Sequence, residues 1–230
     1  FHKVKQRSDG IRSLPGTVLK NSYDETVYTP PDNKDDILRL LSNLENYINV
    51  NEGNIDPLIR LAVIHYQFEC IHPFPDGNGR VGRIINVLYL IQERLLDVPI
   101  LYLSSYIIEH KSDYYKALQD VTEYADWTNW ILYILDAVEV TAKKTLSMIQ
   151  EIRKVQSETE TFVKNEMADI YSRELIELLF EQPYCKISFL VNRHIAKKQT
   201  ASKYLNLLVT AGLLDKTKQG REYYFINKNL

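Results

Sequence analysis

The sequence predicts a mainly α protein: a helical bundle carrying a small β-hairpin, followed by a C-terminal winged helix. Three observations predict it. The stretches 57–68 and 84–91 are apolar nearly all round, as helices buried in a bundle are. Thr17–Lys20 and Thr26–Thr29 are β-formers flanking Asn21-Ser22-Tyr23-Asp24-Glu25, and Pro30-Pro31 stops the pattern. From Ala168 onward the order is helix, helix, turn, helix and hairpin, the order of a winged helix. The boundaries read as an opening segment 1–16, a helical domain 17–150 with its hairpin at 17–30, a connecting helix 151–167 and the winged helix 168–230.

Residues 1–16 are polar and basic, punctuated by Gly10 and Pro15-Gly16, and read as a loose lead-in. The hairpin is marginal alone and must lean on something, unless it is a decorative loop. Asp32 is the expected cap of a helix with Asp35 and Asp36 in its first turn and a stripe of Ile37, Leu38, Leu41, Leu44, Tyr47 and Ile48. Asn49–Asn54 is a polar connection. Asp56 then caps the next helix, with Pro57 at its first position. Past Asp97-Val98-Pro99, Ser104 or Ser105 opens another helix, and Ser112-Asp113 one more through Tyr114, Leu118 and Val121. From Asp126 a very long helical pattern runs through Trp127, Trp130, Ile134 and Ile152 and turns polar over Glu158–Glu166.

In the last part, Ala168–Phe180 is amphipathic and Gln182-Pro183 breaks it. Ile187–Val191 and Ala196–Thr210 give two helices, and Gly212 ends the second. Leu213–Thr217 and Glu222–Ile226 form a hairpin around Lys218-Gln219-Gly220-Arg221.

Bulk properties exclude several classes. With 230 residues, 45% hydrophobic and 25% charged, the chain has the composition of a globular protein and enough length for a buried core. It has no signal peptide and no long apolar run, which predicts no membrane span. Cys70 and Cys185 stand far apart without zinc spacing, which fits a reducing cytoplasm. The start at Phe1-His2-Lys3, without methionine, reads as a piece of a longer protein. The net charge of −2 hides an asymmetry: Tyr184–Leu230 holds nine Lys or Arg against Asp215 and Glu222, a local +7, leaving −9 for residues 1–183. Two domains with different partners follow naturally.

Chemistry concentrates in Ile71-His72-Pro73-Phe74-Pro75-Asp76-Gly77-Asn78-Gly79-Arg80-Val81-Gly82-Arg83, a polar loop between two core helices. Gly77, Gly79 and Gly82 free backbone N–H groups to face an anion, and the following helix aims its positive dipole end there. Arg80 and Arg83, at i,i+3 on one face of the first turn, oppose that dipole unless an anionic ligand repairs the conflict. A polyphosphate would repair it. Asp76 suits the hard Mg²⁺ that accompanies phosphates, and His72 suits proton abstraction near neutrality. The plainer alternative, a capped helix–turn–helix with a surface histidine, leaves the glycines and arginines unexplained. Nearby, His65 and Glu69 at i,i+4 read as a hydrogen-bonded pair or a partial metal site, and Cys70 does not face His72 for nucleophilic pairing.

His72 to Arg80 matches H-P-F-x-[D/E]-G-N-G-R at every fixed position, and Gly82-Arg83 adds the common extension. The chain therefore resembles the Fic (filamentation induced by cAMP) domain family, and in layout the bacterial members that append a winged helix. The resemblance implies a Fic-type helical bundle over 17–150 that transfers AMP from Mg·ATP to a Tyr, Thr or Ser hydroxyl of a target protein, releasing pyrophosphate. It implies His72 as general base and Asp76 as Mg²⁺ ligand. Gly77, Asn78, Gly79, Arg80, Val81, Gly82 and Arg83 would hold the nucleotide. Tyr114 would stand near the adenine, although a core aromatic reads equally well there. The hairpin resembles the family's flap, so Val27, Tyr28 and Thr29 would align the target's backbone. Some relatives transfer phosphate or phosphocholine; the G-N-G-R form favours AMP. The family's inhibitory pattern [S/T]-x-x-x-E-[G/N] is absent from 1–230, and the resemblance places it before the flap.

The competing class is a winged-helix DNA-binding regulator whose Fic-like part senses nucleotide; an intact His72 speaks against it, since a sensor needs no base. The basic tail still admits DNA as a partner through Gln199, Thr200, Ser202, Lys203 and Asn206 on the recognition helix. A protein-docking or dimerising wing is the other reading, and a homodimer is compatible with it.

Overall fold

A computed structural model of the chain describes residues 10–13, 16–20, 26–50, 53–228 and 230, with only the backbone of Lys20 and Val27. The expected lead-in before Gly10, Pro15, the hairpin turn 21–25, part of the 49–54 connection and the Val27 side chain lie outside the described residues. The chain divides into two units, 1–145 and 146–230.

In the first unit, β1 (Leu19–Lys20) and β2 (Thr26–Tyr28) pair antiparallel, shorter than the expected hairpin. Helix α1 (Lys34–Asn49) is capped by Asn33, whose side chain accepts from Asp35 N. The expected cap, Asp32, instead accepts from Gly16 N at 3.3 Å and lies 3.8 Å from the Arg12 guanidinium. The stripe on α1 also shifts. Leu38 is exposed while Leu40 packs on the core, because at 100° per residue Leu40 shares the arc of Ile37, Leu41 and Leu44 and Leu38 lies off it.

Helix α2 (Pro57–Ile71) starts on Asp56 with Pro57 at its first position, as expected. Buried Arg60 on α2 donates to the carbonyl of Tyr47 and, at 3.0 Å, to that of Val50, satisfying the open C-terminal carbonyls of α1. Helix α3 (Asn78–Gln92) packs on α2, but it is not buried all round: Ile84 and Leu88 are 57% and 56% exposed. Helix α4 (Leu103–Glu109) begins ahead of the expected serines, and α5 (Lys111–Tyr124) begins just ahead of Ser112, with His110 at its N-cap position. Helix α6 (Trp127–Glu166) is continuous over 40 residues, with Asp126 accepting from Thr128 N at 3.2 Å. Trp130 on α6 is fully buried and donates its indole N–H to Ala62 O at 2.8 Å, pinning α6 to α2. The division between units falls inside α6, five residues before the expected boundary at 150.

In the second unit, Ala168–Ile170 forms a 3₁₀ turn and Ser172 caps α7 (Arg173–Glu181), so the expected single helix from Ala168 is two elements. Helices α8 (Ile187–Asn192) and α9 (Lys198–Thr210) follow, and Gly212 at φ +80° closes α9. Strands β4 (Leu214–Gln219) and β5 (Glu222–Asn227) meet at a two-residue turn, Gly220-Arg221. Sequence reasoning missed β3 (Tyr184–Cys185), which pairs with β5 to make a sheet of order β3-β5-β4. Two residues are too short for a periodic signal. No helix among the described residues is long and apolar enough to cross a membrane.

Candidate active site

The loop between α2 and α3 is shaped by three local devices. His72 ends α2 in the left-handed region, φ +48° and ψ +55°, a conformation costly for a residue with a Cβ. Gly77 takes φ +87° at the N-cap of α3, where only glycine sits without strain. Asn78 spans the turn with its side chain, accepting from Phe74 N at 2.9 Å and donating to Phe74 O at 2.7 Å. Its carboxamide is thus a brace for the loop and is not free for another partner at these atoms.

A fourth device comes from far away in sequence. Arg12 is buried, donating from Nε to His72 O at 2.6 Å and from Nη2 to Ile71 O at 3.2 Å, while its own N–H reaches Pro73 O at 2.9 Å. It clamps the strained end of α2 from outside. The loose lead-in expected over 1–16 therefore contains, at Arg12, a structural member of the site.

His72 Nδ1 lies 3.3 Å from Glu69 O. A carbonyl only accepts, so Nδ1 carries the hydrogen and Nε2 keeps its lone pair. Burial lowers the imidazole pKa, with the Arg12 charge adding to the effect against the bond to the Glu69 carbonyl, so the ring is neutral at pH 7. Its Nε2 lone pair is open to accept a proton or a hydrogen bond.

His72 opens on a cavity of about 310 Å³, in the size range of small-molecule sites, about 300–1,000 Å³. Gly79 and Arg83 line it from α3, Glu69 and Cys70 from α2, and Tyr28 from β2. Helix α5 contributes Lys111, Tyr114, Tyr115, Leu118, Gln119 and Thr122, a single helical face by their spacing. That stripe was visible in the sequence, but nothing local distinguished it from an ordinary core face. Lys111, Tyr115, Gln119 and Thr122 are among the lining residues that sequence reasoning missed, and Glu69, read there only as a partner of His65, lines the cavity too. Arg83 and Lys111 against Glu69 leave the wall with a cationic balance.

The other expected residues divide. Arg80 is 73% exposed and pairs loosely with Asp76 at 3.7 Å, outside the His72 cavity. It borders, with Arg83, Ile84 and Leu88, an adjoining apolar groove of about 550 Å³. Val81 packs against the core. Gly82 is required by contact: a Cβ there would stand 2.8 Å from Glu69 Oε1 and 3.1 Å from Phe68. Thr29 is exposed and Tyr28 lines the cavity. Tyr114 is buried, its ring 5.6 Å from Trp130 and its hydroxyl 3.0 Å from His65 Nε2, so it forms cavity floor and core at once. The more exposed ring at the same wall is Tyr115.

His65 and Glu69 do not bond to each other. His65 serves Tyr114 and stacks on Trp130, and burial, then the Arg83 charge, depresses its pKa to about 4. No trio of His, Cys, Asp or Glu among the described residues stands together as a metal site. Burial pushes the Cys70 thiol up to about 11, so it is not a nucleophile.

The Fic/DOC family model matches residues 3–90, and residues 155–230 match the C-terminal domain described as "Protein adenylyltransferase SoFic-like". A probable protein adenylyltransferase of Aquifex aeolicus is 37% identical over 84 residues, 36% of this chain and 23% of that protein. Protein adenylyltransferase fic-1 of Caenorhabditis elegans is 27% identical over 115 residues, 50% of this chain and 21% of its own length. The chain thus spans less than a quarter of either relative. In fold, it resembles a Fic family protein from Desulfovibrio desulfuricans G20 with a TM-score of 0.57 at 21% identity, over 99% of this chain and 65% of that one.

Proposed function

We propose, for a chain whose residues 3–90 match the Fic/DOC family model, that it is a protein adenylyltransferase. The reaction is displacement at the α-phosphorus of ATP by a Tyr, Thr or Ser hydroxyl of a target protein. The hydroxyl oxygen forms the new P–O bond, its proton passes to His72 Nε2, and the bond to pyrophosphate breaks. One observation carries the reading: a neutral His72 with its Nε2 lone pair available opens on the same cavity as Gly79 and Arg83.

In this reading the backbone at Gly77–Gly79 and the dipole of α3 hold the α- and β-phosphates, and Arg83 and Lys111 meet the remaining charge. The apolar wall of Ile107, Ile108 and Leu118 takes the base beside Tyr115 and Tyr114. Asp76 fits Mg²⁺, which binds through one or two carboxylates plus phosphate oxygens and water and so needs no cluster of protein ligands. When bound, the ion supplies charge neutralisation on the phosphates. Arg80, exposed and loosely paired with Asp76, completes the grip from outside. The β1–β2 edge at Tyr28–Thr29 offers backbone for pairing with an extended target segment. Two free cysteines, Cys70 and Cys185, suit a reducing cytoplasm.

A second role, DNA binding by the second unit, is favoured by one observation. Its three acidic residues nearest the wing are occupied, Glu181 by Arg193, Glu222 by Lys186 and Asp215 by Lys228. Exposed Lys197, Lys198, Lys203, Lys218 and Arg221 on α9 and the wing thus keep their charge for a phosphate backbone.

The test of the transferase is mass spectrometry of a lysate incubated with the chain, Mg²⁺ and isotope-labelled ATP. AMP should appear on hydroxyl side chains. His72→Ala should lower transfer by about 10²–10⁴ while leaving ATP affinity intact. Labelling at the same rate by His72→Ala would refute the base.

A further inference from the structure

Helix α9 turns Ala201, Leu205 and Leu208 into the core of the second unit, which leaves Gln199, Lys203 and Asn206 along the opposite face at i, i+4 and i+7. These residues are not equally available. Asn206 Nδ2 donates to Ser202 O at 2.6 Å, and Asn206 Oδ1 accepts from Lys216 Nζ at 2.8 Å. A lysine ammonium only donates, so that contact fixes which end of the carboxamide is oxygen. Lys216 belongs to β4, and its ammonium lies 4.5 Å from the ring centroid of Tyr223 on β5. Asn206 is thus a bracket between α9 and the wing. The side chains of Gln199, Thr200 and Lys203 are exposed and make no hydrogen bond or ion pair with any described residue.

The cations of the unit are sorted in the same way. Lys154, Lys164, Arg173, Lys186, Arg193 and Lys228 each stand within 3.9 Å of a carboxylate. Lys197, Lys198, Lys203, Lys218 and Arg221 have no carboxylate partner among the described residues. Lys216 and Lys218 share one face of β4, and Tyr223 is the cross-strand partner of Lys218. The strand face that meets α9 through Lys216 therefore continues through Lys218 to the turn at Gly220-Arg221. An unneutralised cationic strip runs from α9 to the wing tip, with one free carboxamide on the helix beside it.

We propose that the second unit recognises duplex DNA by sequence, Gln199 reading an adenine in the major groove while Asn206 is withheld as the bracket to the wing. This rests on the DNA-binding role proposed above and names what that role selects. A carboxamide reads adenine with two bonds, its oxygen accepting from N6 and its NH₂ donating to N7. Gln199 has both groups free, whereas Asn206 would first have to release Ser202 and Lys216. The unpaired lysines and Arg221 meet phosphates, which set register and affinity without carrying sequence. By residue type and helix face the two amides are equivalent readers; the bond from the wing separates them.

The test is selection of short duplexes with a randomised centre by the whole chain at ~100 mM salt, followed by fluorescence anisotropy on the enriched site. That site should contain a fixed A·T pair, and exchanging it for G·C should weaken binding about 5- to 150-fold. Gln199→Ala should bind the two duplexes equally, with the wild-type slope of log K against log salt, because a base contact neutralises no phosphate. Gln199→Glu should move the preference to cytosine, whose N4 donates to a carboxylate. Asn206→Asp keeps an acceptor for Lys216 but cannot donate to adenine N7, and should retain the A·T preference. An unchanged preference in both Gln199 variants, its loss in Asn206→Asp, or equal binding of all duplexes by the wild type overturns the proposal and leaves DNA binding standing. Binding to no duplex at ~50 mM salt removes the DNA role itself, and this inference with it.

Discussion

Arg12 Nε donates to the carbonyl oxygen of His72 at 2.6 Å, across 60 positions of sequence. That bond holds the last residue of α2 in a left-handed conformation which its own Cβ disfavours. The conformation keeps the imidazole over the Glu69 carbonyl, and that carbonyl fixes the tautomer. In the proposed reaction, the competence of His72 would therefore depend on a side chain outside the cavity lining.

Arg12→Ala should remove two side-chain hydrogen bonds to the carbonyls at the end of α2 and leave His72 free to relax. Transfer rate should fall by about tenfold or more, the cost of a misplaced reacting group. Nucleotide affinity, set on α3 and α5, should change little. Steady-state kinetics beside calorimetry distinguishes the outcomes, and an equal loss in both would assign Arg12 to folding instead.

Gly82 and Glu69 form a steric pair, since a Cβ on the glycine would lie 2.8 Å from Oε1. Gly82→Ala should destabilise the protein by about 1–3 kcal/mol through overpacking. Shortening the partner in Gly82→Ala/Glu69→Ala should recover part of that loss, although Phe68 at 3.1 Å keeps the rescue incomplete. Urea unfolding of the four proteins in the cycle measures the coupling, and strict additivity would remove the contact from the account.

Glu69 also makes stability depend on pH. Its carboxyl is raised from an ordinary 4.5 to about 7, so the folded chain holds its proton more tightly than the unfolded chain. Stability from this group is fully present below 4.5 and is lost as pH rises to about 7. Glu69→Gln should remove that slope, leaving the variant more stable than wild type at pH ~8 relative to their difference at pH ~4.5, by on the order of 3 kcal/mol. Thermal unfolding at the two pH values checks it; an unchanged difference would mean that the carboxylate is solvated in the folded protein.

The wing offers a separate measurement. Binding of the whole chain to duplex DNA should weaken steeply with salt, and Lys218→Ala or Arg221→Ala should each lower the slope of log K against log salt by about 0.9. Binding undetectable at ~50 mM salt would favour protein docking by the same face.

Local signals were legible in the chain because their causes are local. Asp56 with Pro57, and Gly212, act through the backbone within a turn of themselves, and each caps a helix as read. Asp32 and Asn33 both had capping chemistry, and the choice fell to Asn33 because Asp32 is engaged by Gly16 N and Arg12. The stretch 84–91 read as buried all round because composition cannot tell a bundle core from an apolar groove, and Ile84 and Leu88 border the groove.

By itself the sequence determined the loop: the histidine, the glycine turn and the two arginines, all within thirteen consecutive residues at the start of α3. Tertiary structure alone decided which arginine enters the cavity, since Arg80 and Arg83 are equivalent by spacing and differ only in what α5 and α2 place around them. It alone brought Arg12 to the end of α2, Glu69 to Arg83, and one face of α5 over both. No periodicity or motif links these residues, Arg12 and His72 standing 60 positions apart, and their geometry follows only once the packed helices have excluded water between them.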